Sequence, residues 1–324
     1  MEFPRRIYIT GAAGMLGGAV CSEFARSGEV RGSDLFPDDS RLECVDVTDF
    51  AVFEAAVRSF QPDLLINLAA RTDLEDCERH PEAAWLTNAL GADNAATIAQ
   101  RFDIPLIQVS TAGIVQGTEN AYNDFHQPSP LGVYAKSKYQ SERLVQSLCH
   151  KHYIVRAGWM MGGGPAKDKK FINKLFRQIV AGATELKVVS DKFGTPTYTV
   201  PFALGLRLLC ASGLYGTYNQ VCEGECSRYE VALEFVRLLG LDTHIKVTPV
   251  TSEHFREEYF APRPPSEKLV NMKLHARGFR HMPHWRDALR EYSREFKAAL
   301  PISFGDAASG RRTQKLRVQH ISTP

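Results

Sequence analysis

A glycine-rich loop directly after an apolar run is the feature that most restricts how this chain folds. The run at 7–10 (Ile-Tyr-Ile-Thr) has the composition of a buried strand, and the loop at 11–17 (Gly-Ala-Ala-Gly-Met-Leu-Gly) follows it. Leu16, Val20 and Phe24 then recur at helical spacing. A strand, a glycine loop and a helix in this order predict a turn that holds the pyrophosphate of a dinucleotide.

Each glycine of the loop has its own expected purpose. Gly11 permits the tight turn out of the strand, Gly14 lets backbone amides approach the pyrophosphate, and Gly17 lets the helix pack closely on the sheet. Met15 and Leu16 belong to the same predicted cofactor site. A flexible turn without a ligand is the alternative, which the position between a strand and a helix disfavours.

An acidic residue at the end of the second predicted strand bears on the choice of cofactor. Asp34 lies 17 residues after Gly17, where its carboxylate can accept hydrogen bonds from the adenosine ribose hydroxyls. Because a carboxylate repels a 2′-phosphate, Asp34 favours NAD(H) over NADP(H), although Arg31 and Arg41 nearby soften that choice. A turn or helix-cap role for Asp34 stays open.

Segments that follow the third predicted strand extend the cofactor site. Asp46 and Val47 are placed to touch adenine, although a surface aspartate would give the same pattern.

Strand-like and helix-like segments alternate through the first half of the chain, which predicts an α/β fold with a doubly wound, Rossmann-type parallel sheet. The predicted strands are at 6–10, 30–33, 43–47, 64–68, 104–110 and 153–157, with further strands returning to the sheet at 185–189 and 215–221. The predicted helices are at 15–27, 81–101, 171–181, 227–240 and 285–298.

The same alternation predicts the domain organisation. Residues 1–158, with returning segments at about 185–222, form the expected dinucleotide-binding domain. Residues 159–184 and 223–300 form a smaller C-terminal substrate-binding lobe, since this part has fewer sheet signals and more proline. Residues 301–324 lack apolar periodicity and are expected to be a disordered tail.

Composition excludes several classes of function. The net charge of the 324-residue chain is only +2, which gives no electrostatic case for nucleic acid. No apolar run approaches the roughly 20 residues needed to cross a bilayer, and no secretory signal is expected. The seven scattered cysteines fit reduced thiols in a cytoplasm. Cys222 and Cys226 lack a second ligand pair, so no metal site is expected.

A second constellation predicts proton transfer beside the cofactor. Tyr134 and Lys138 are four residues apart on a predicted helix, so their side chains share a face. The lysine is expected to lower the phenol's pKa toward neutrality and to hold the nicotinamide ribose. Thr111, at the end of the strand before them, is expected to bind the substrate carbonyl oxygen. An ordinary helix surface would show the same spacing.

Taken in order, these motifs make the chain resemble the extended short-chain dehydrogenase/reductase superfamily, and within it the dTDP-4-dehydrorhamnose reductase family. The motifs of the superfamily are the glycine loop, Asn67-Leu68-Ala69-Ala70, Asn88-x-x-Gly91-x-x-Asn94, Ser110-Thr111 and Tyr134-x-x-x-Lys138. The narrower match lies at 155–159 (Val-Arg-Ala-Gly-Trp), 191–197 (Asp-Lys-Phe-Gly-Thr-Pro-Thr), 263–266 (Arg-Pro-Pro-Ser) and Leu269. The similarity spans residues 5 to 298.

The resemblance implies reduction of the 4-keto group of a dTDP-linked 6-deoxy-sugar. Thr111, Tyr134 and Lys138 match the family's catalytic positions, and Leu68, Ala69 and Ala70 match cofactor-binding positions. The matching substrate-binding positions are Thr72, Asn88, Trp159 and Arg263. Core packing for Trp159, a solvated loop charge for Arg263 and a purely structural bond for Asn88 stay open. A homodimer is plausible from the superfamily.

One departure leaves other functions open. The family usually continues its Ser-Thr with Asp-Tyr, whereas Thr111 is followed by Ala112 and Gly113, and the family's tyrosine helps to hold the sugar. The alternatives are a nucleotide-sugar 4-epimerase with bound NAD, which Ala112 favours and the stretch at 191–197 disfavours, and a non-catalytic dinucleotide-binding regulatory subunit. The intact Thr111, Tyr134 and Lys138 argue against the regulatory subunit.

Overall fold

The computed structural model of the chain describes residues 4–117 and 121–301. Except for Pro301, the predicted tail at 301–324 lies outside the described residues. Within the described ranges, every helix is too short or too polar to cross a membrane.

Strands and helices alternate along the described chain. The strands are β1 (Arg6–Thr10), β2 (Glu29–Asp34), β3 (Glu43–Cys44), β4 (Leu64–Asn67), β5 (Leu106–Thr111), β6 (His152–Ala157), β7 (Trp159–Met161), β8 (Glu185–Val189), β9 (Phe193–Gly194), β10 (Pro196–Tyr198), β11 (Gly216–Asn219), β12 (Cys226–Ser227), β13 (Lys246–Val250) and β14 (Ser266–Glu267). The α-helices are α1 (Gly17–Phe24), α2 (Phe50–Phe60), α3 (Leu74–Arg79), α4 (Pro81–Trp85), α5 (Gly91–Arg101), α6 (Val133–Leu148), α7 (Gly164–Lys167), α8 (Phe171–Val180), α9 (Thr199–Ser212), α10 (Arg228–Leu239), α11 (Met272–Ala276) and α12 (Trp285–Ala298).

Seven parallel strands form the central sheet in the order β3-β2-β1-β4-β5-β6-β11. Apolar side chains cover both faces, with α1 and α9 on one side and α2, α5 and α6 on the other. The predicted doubly wound Rossmann-type sheet is confirmed. Because all strands run in one direction, their carboxyl ends lie along one edge, where open α/β sheets bind ligands.

The predicted helix at 81–101 is not a uniform α-helix. It consists of α4, a π-helical segment (Leu86–Leu90) and α5. The π turn contains Asn88, one of the predicted site residues. Such turns are frequent at functional sites, because the extra residue redirects a side chain.

The second half of the chain builds a separate set of short sheets. These are β12-β9-β14, β10-β7 and β13-β8, packed around α8, α10 and α12 through one apolar cluster. The prediction that the strand at 185–189 returns to the central sheet is wrong, since β8 pairs in parallel with β13. Only the strand predicted at 215–221 returns, as β11 beside β6. Pairing partner, unlike strand propensity, depends on distant residues.

Candidate active site

The glycine loop forms a turn that leaves room at its outer side. Gly11 has a φ of +68°, and a Cβ on it would lie 2.7 Å from the backbone of Leu68 and Ala69. A Cβ on Gly17 would lie 2.1 Å from the carbonyl oxygen of Ala12. Gly14, by contrast, is exposed. Packing against the chain itself therefore requires glycine at positions 11 and 17, whereas Gly14 faces the ligand side.

The backbone after Gly14 is suited to an anion. The amides of Met15 and Leu16 make no hydrogen bond with any residue in the described ranges. The N-terminus of α1 at Gly17 also lacks a side-chain cap. Free amides at a helix N-terminus attract a phosphate. This cradle fits the pyrophosphate of a dinucleotide, as the sequence predicts.

The acidic residues of the predicted cofactor site differ in their surroundings. Asp34 ends β2, and its carboxylate accepts the amides of Ala13 (3.1 Å) and Phe36 (3.1 Å), so it ties the glycine loop to the second strand. Asp46 accepts both the amide and the hydroxyl of Thr48, each at 2.8 Å. Val47 is buried. Asp34 therefore lies beside the loop, whereas Asp46 stabilises a turn.

Buried polar side chains connect the carboxyl ends of three strands. Thr10 donates to Asn67 (2.6 Å), and Asn67 donates to Gln108 (2.8 Å), across β1, β4 and β5. Leu68, Ala69 and Ala70 follow Asn67 and are half-buried. The network fixes the sheet edge against which Gly11 packs.

The predicted catalytic pair of oxygens is brought together. Thr111 ends β5, and Tyr134 lies in the first turn of α6, where Glu78 accepts the Val133 amide (2.6 Å). Burial raises the pKa of Tyr134 to about 12, and a hydrogen bond with the Thr111 side chain acts in the opposite direction. Both oxygens can therefore contact one substrate oxygen.

The predicted lowering of the Tyr134 pKa by Lys138 is wrong. Burial sets the direction, and the neighbouring Cys77 and Glu267 raise the pKa further. The ammonium of Lys138 instead donates to the carbonyl oxygen of Val109 (2.7 Å). The spacing of four residues places both side chains on one helix face, but it does not decide which partner each one finds.

Lys138 is itself strongly perturbed. It is 3% exposed, and burial lowers its pKa to about 8, while the charge of Glu142 acts against that shift. Glu142 is occupied in a buried ion pair with Arg156 (2.8 Å). The lysine is therefore an ammonium at neutral pH and loses its charge under mildly alkaline conditions.

Asn88 has a structural role in place of the predicted contact with substrate. The side-chain oxygen of Asn88 accepts the backbone amide of Arg71 (2.8 Å). Its side-chain nitrogen donates to the backbone carbonyl of Arg71 (3.0 Å) and to the hydroxyl of Ser137 (3.0 Å). At 1% exposure it has no surface left for a ligand. It joins the loop after β4 to α6, on which Tyr134 and Lys138 lie.

Residues of the stretch at 191–197 hold Trp159 in place, and Trp159 is the residue whose contacts follow. Its backbone amide donates to Thr195 (2.9 Å), and a Cβ on Gly194 would lie 2.4 Å from its indole ring. The Thr197 hydroxyl accepts the amide of Gly158 (2.9 Å). Trp159 is half-buried and lines a shallow cleft together with Met160, Met161, Phe171, Ile172, Pro196, Arg228 and Val231. Trp159 therefore both packs within the chain and lines a cleft, and its contact with the sugar stays a prediction.

Two of the predicted substrate-binding residues, Thr72 and Arg263, already bind other side chains of this chain. The carbonyl and hydroxyl oxygens of Thr72 accept from Lys170 at 2.9 and 3.0 Å. Arg263 forms an ion pair with Glu75 (2.7 Å) and also donates to two backbone carbonyls. The charge of Arg263 is thus compensated within the chain.

Sequence reasoning missed Arg228 and Glu267. The guanidinium of Arg228 lies 3.7 Å from the centre of the Trp159 ring, and burial lowers its pKa to about 10. Glu267 accepts the Trp159 indole N–H at 2.6 Å. The signal for Glu267 was its position directly after the motif at 263–266. No sequence signal pointed to Arg228, since it only follows a helix cap at Ser227.

The chain matches proteins of one family over most of its length. A family model described as RmlD substrate binding domain matches residues 5–298. The dTDP-4-dehydrorhamnose reductase of Mycobacterium tuberculosis is 32% identical over 290 residues, covering 88% of this chain and 91% of that relative. The solved structure of dTDP-4-dehydrorhamnose reductase from Bacillus anthracis in complex with NADP has a TM-score of 0.82 at 30% identity, covering 90% and 99%.

One similar protein has a different kind of name. Methionine adenosyltransferase 2 subunit beta of Xenopus laevis is 28% identical over 294 residues, covering 89% of this chain and 86% of that relative.

Proposed function

Because the chain belongs to the family described as RmlD substrate binding domain, we propose that it reduces the 4-keto group of a dTDP-linked 6-deoxy-sugar with NAD(P)H. The family predicted from the sequence motifs is confirmed. The observation that carries the proposed reaction is the contact between Thr111 and Tyr134 at the sheet edge that also holds the glycine loop.

The reaction divides between the cofactor and the side chains. The nicotinamide, when bound, supplies the hydride to the ketone carbon. Thr111 and Tyr134 bind the ketone oxygen, where negative charge develops and where donors lower the barrier most. Tyr134 then gives its proton to that oxygen, so the ketone becomes a hydroxyl group and the phenol becomes a phenolate.

The raised pKa of Tyr134 suits reduction. A general acid must carry its proton at the start of the reaction, and at a pKa of about 12 the phenol is protonated at neutral pH. An epimerase must first oxidise its substrate, which requires the phenolate. The protonated phenol is thus ready to act as the acid of a reductase, and the stretch at 191–197 is what argues against the 4-epimerase.

Positive charge in the second half of the chain supports an anionic substrate. Arg228 lies in the cleft beside Trp159 and forms no ion pair within the described ranges, and Arg263 lowers its pKa further. Lys170 bridges to Thr72 from the same side, and burial lowers its pKa. Guanidinium and ammonium groups bind phosphates. We assign Arg228 and Lys170 to the diphosphate of the nucleotide-sugar.

We propose NADH as the preferred cofactor. The Asp34 carboxylate lies beside the glycine loop, where it repels a 2′-phosphate. Arg41, the nearby cation that would soften this preference, is paired with Asp39. The relative from Bacillus anthracis binds NADP, so the preference is a test of this chain's own residues.

The experiment is oxidation of NADH and of NADPH with the dTDP-4-keto-6-deoxy-sugar generated in situ. We expect Tyr134→Phe to lower kcat by about 10²- to 10⁴-fold with an unchanged dinucleotide affinity, because the phenyl ring packs alike but donates no proton. Tyr139→Phe, on the same helix, is the control. Full turnover by Tyr134→Phe would disprove the mechanism.

A non-catalytic regulatory subunit is the second candidate. The similarity to a protein named as an adenosyltransferase subunit favours it. Retention of Thr111, Tyr134 and Lys138 together favours the enzyme. Tight dinucleotide binding without turnover of any nucleotide-sugar, together with a co-purifying larger enzyme, would establish the subunit.

The cellular location and the oligomeric state are proposed from the cysteines and from the superfamily. All seven cysteines lie in the described ranges and are free thiols, which supports the predicted cytoplasmic location. The homodimer stays a prediction, and light scattering of the purified chain tests it.

A further inference from the structure

We propose that Glu267 is a specificity residue that accepts a hydrogen bond from the hydroxyl group on the sugar carbon next to the reacting ketone. The inference deepens the proposed function and rests on it for the identity of the sugar. It depends on the position of one carboxylate oxygen relative to Thr111, on the absence of a side chain at Gly113, and on the hydrogen bond that holds the other carboxylate oxygen to Trp159.

The two oxygens of the Glu267 carboxylate have different surroundings. Oε2 accepts the indole N–H of Trp159 at 2.6 Å. Oε1 points toward Gly113 and accepts no hydrogen bond from any residue in the described ranges. Oε1 keeps some contact with solvent, so the donor group of a ligand can replace the water there. Oε1 is therefore available to a ligand.

Gly113 leaves the space that such a ligand needs. A Cβ on Gly113 would lie 3.2 Å from Oε1 of Glu267 and 3.5 Å from Oγ1 of Thr111. These two distances place Oγ1 of Thr111 and Oε1 of Glu267 within about 7 Å of each other, with no side chain of residue 113 between them. A side chain at this position would separate Thr111 from Glu267.

A cation lies on the far side of the Trp159 ring that binds Glu267. Arg228 stacks on the other partner of the carboxylate, Trp159, at 3.7 Å from the ring centre. The charge of Glu267 acts to raise the pKa of Arg228, against the effect of burial. An ionised carboxylate accepts hydrogen bonds and donates none. The group that it selects must therefore be a donor.

The chemistry of the substrate identifies that donor. In a 4-keto-6-deoxy-hexose, one neighbour of the ketone carbon is carbon 5, which carries the methyl group. The other neighbour is carbon 3, which carries a hydroxyl group. Since Oε1 lies within about 7 Å of the Thr111 hydroxyl, the oxygen on carbon 3 is the donor within its reach when Thr111 holds the ketone oxygen. Glu267 thereby selects sugars with a donor at carbon 3.

The test compares two sugars in two proteins. Glu267→Gln keeps an oxygen for the Trp159 indole and turns an N–H group toward Gly113, so it removes only the acceptor. For the wild type, removal of the 3-hydroxyl from the dTDP-4-keto-6-deoxy-sugar should lower kcat/KM by about 10- to 100-fold, mainly through KM. In Glu267→Gln, kcat/KM for the natural sugar should fall by about the same factor. Removing the 3-hydroxyl from the sugar should then lower kcat/KM of this variant by less than about threefold further.

A binding titration makes the test independent of turnover. The dissociation constants of dTDP-rhamnose and its 3-deoxy analogue are measured by calorimetry with oxidised dinucleotide present, for wild type, Glu267→Gln and the exposed control Glu253→Gln. An equal preference for the 3-hydroxyl in wild type and Glu267→Gln would overturn the inference. Absence of turnover with a Glu267-dependent preference in binding would overturn only the proposed reaction. Binding of neither sugar by the wild type would overturn both.

Discussion

The dinucleotide side and the sugar side of the site are built from different parts of the chain. On the dinucleotide side, the glycine loop at 11–17 and Asp34 lie within one strand–helix–strand unit, and backbone groups provide the contacts. On the proposed sugar side, Trp159, Arg228 and Glu267 come from three distant segments and contact one another through their side chains. Backbone-built sites depend on steric room for the main chain, whereas side-chain-built sites depend on distant packing.

This difference explains why the sequence predicts the dinucleotide side more completely than the sugar side. A pyrophosphate needs free amides, which only a few loop conformations supply, so the residues are restricted to glycine and small side chains. A sugar is recognised by side-chain donors and acceptors, which can be exchanged for one another. The five predictions below test this comparison, from the largest expected effect to the smallest.

Two neighbouring glycines of α1 give the sharpest test of the dinucleotide side. A Cβ on Gly17 would lie 2.1 Å from the Ala12 carbonyl oxygen, whereas a Cβ on Gly18 would meet no atom within 4 Å. We expect Gly17→Ala to destabilise the fold by about 2–4 kcal/mol and to weaken dinucleotide binding, since backbone must move. Gly18→Ala should stabilise it by about 0.5–1 kcal/mol through helix propensity. Urea midpoints and dinucleotide titrations measure both, and a destabilised Gly18→Ala would contradict the steric explanation.

Gly194→Ala tests the sugar side by the same kind of change. Its Cβ would lie 2.4 Å from the Trp159 indole, so the ring must move away from Glu267. We expect KM for the sugar to rise by about 10- to 30-fold, with a stability loss of about 1–3 kcal/mol. Dinucleotide affinity should stay within about twofold. A parallel loss of dinucleotide binding would show that the two sides are not independent.

Asp34→Asn tests the preference between cofactors. The amide keeps one oxygen for the Ala13 or Phe36 amide but carries no charge, so the repulsion of a 2′-phosphate is lost. The ratio of kcat/KM for NADH to that for NADPH should fall about tenfold. Asp103→Asn, an exposed residue paired with Lys151, serves as the control for a general change in charge. An unchanged ratio in Asp34→Asn would assign the preference to other residues.

The pH dependence tests the buried Lys138. Because its pKa is lowered to about 8 by burial, the ammonium is lost from the folded protein above that pH. The kcat/KM should be about half-maximal at pH 8 and about tenfold lower at pH 9. In Lys138→Arg, whose guanidinium stays charged, this alkaline limb should disappear.

The free energy of unfolding should rise with pH over the range in which kcat/KM falls. Lys138 keeps its proton up to its usual pKa of 10.5 when the chain is unfolded, so the unfolded state binds more protons between about pH 8 and that value. This residue therefore adds stability as the pH rises through that window, since the burial of a charged lysine is relieved. Urea midpoints for wild type and Lys138→Met measure the contribution as a difference, and equal pH profiles would refute it.

Much of the fold was accessible from the sequence because its signals are local. The helix predicted at 285–298 has those bounds as α12, and the strand at 6–10 is β1. The strand at 185–189 also forms, but its partner β13 lies 57 or more residues later, so its sheet could not be inferred. Periodicity predicts an element and its buried face, not the element beside it.

The sequence by itself determined the glycine turn, the alternation of strands and helices that forms a parallel sheet, and the position of Tyr134 and Lys138 on one helix, because each depends on backbone conformation or spacing within a few residues. Tertiary structure alone decided that burial raises the pKa of Tyr134 and that Asn88 holds the chain rather than the substrate. It also brought Glu267 to Trp159 across 108 residues of sequence. Desolvation and side-chain pairing depend on every segment that packs around a group, and no local pattern records which segments those are.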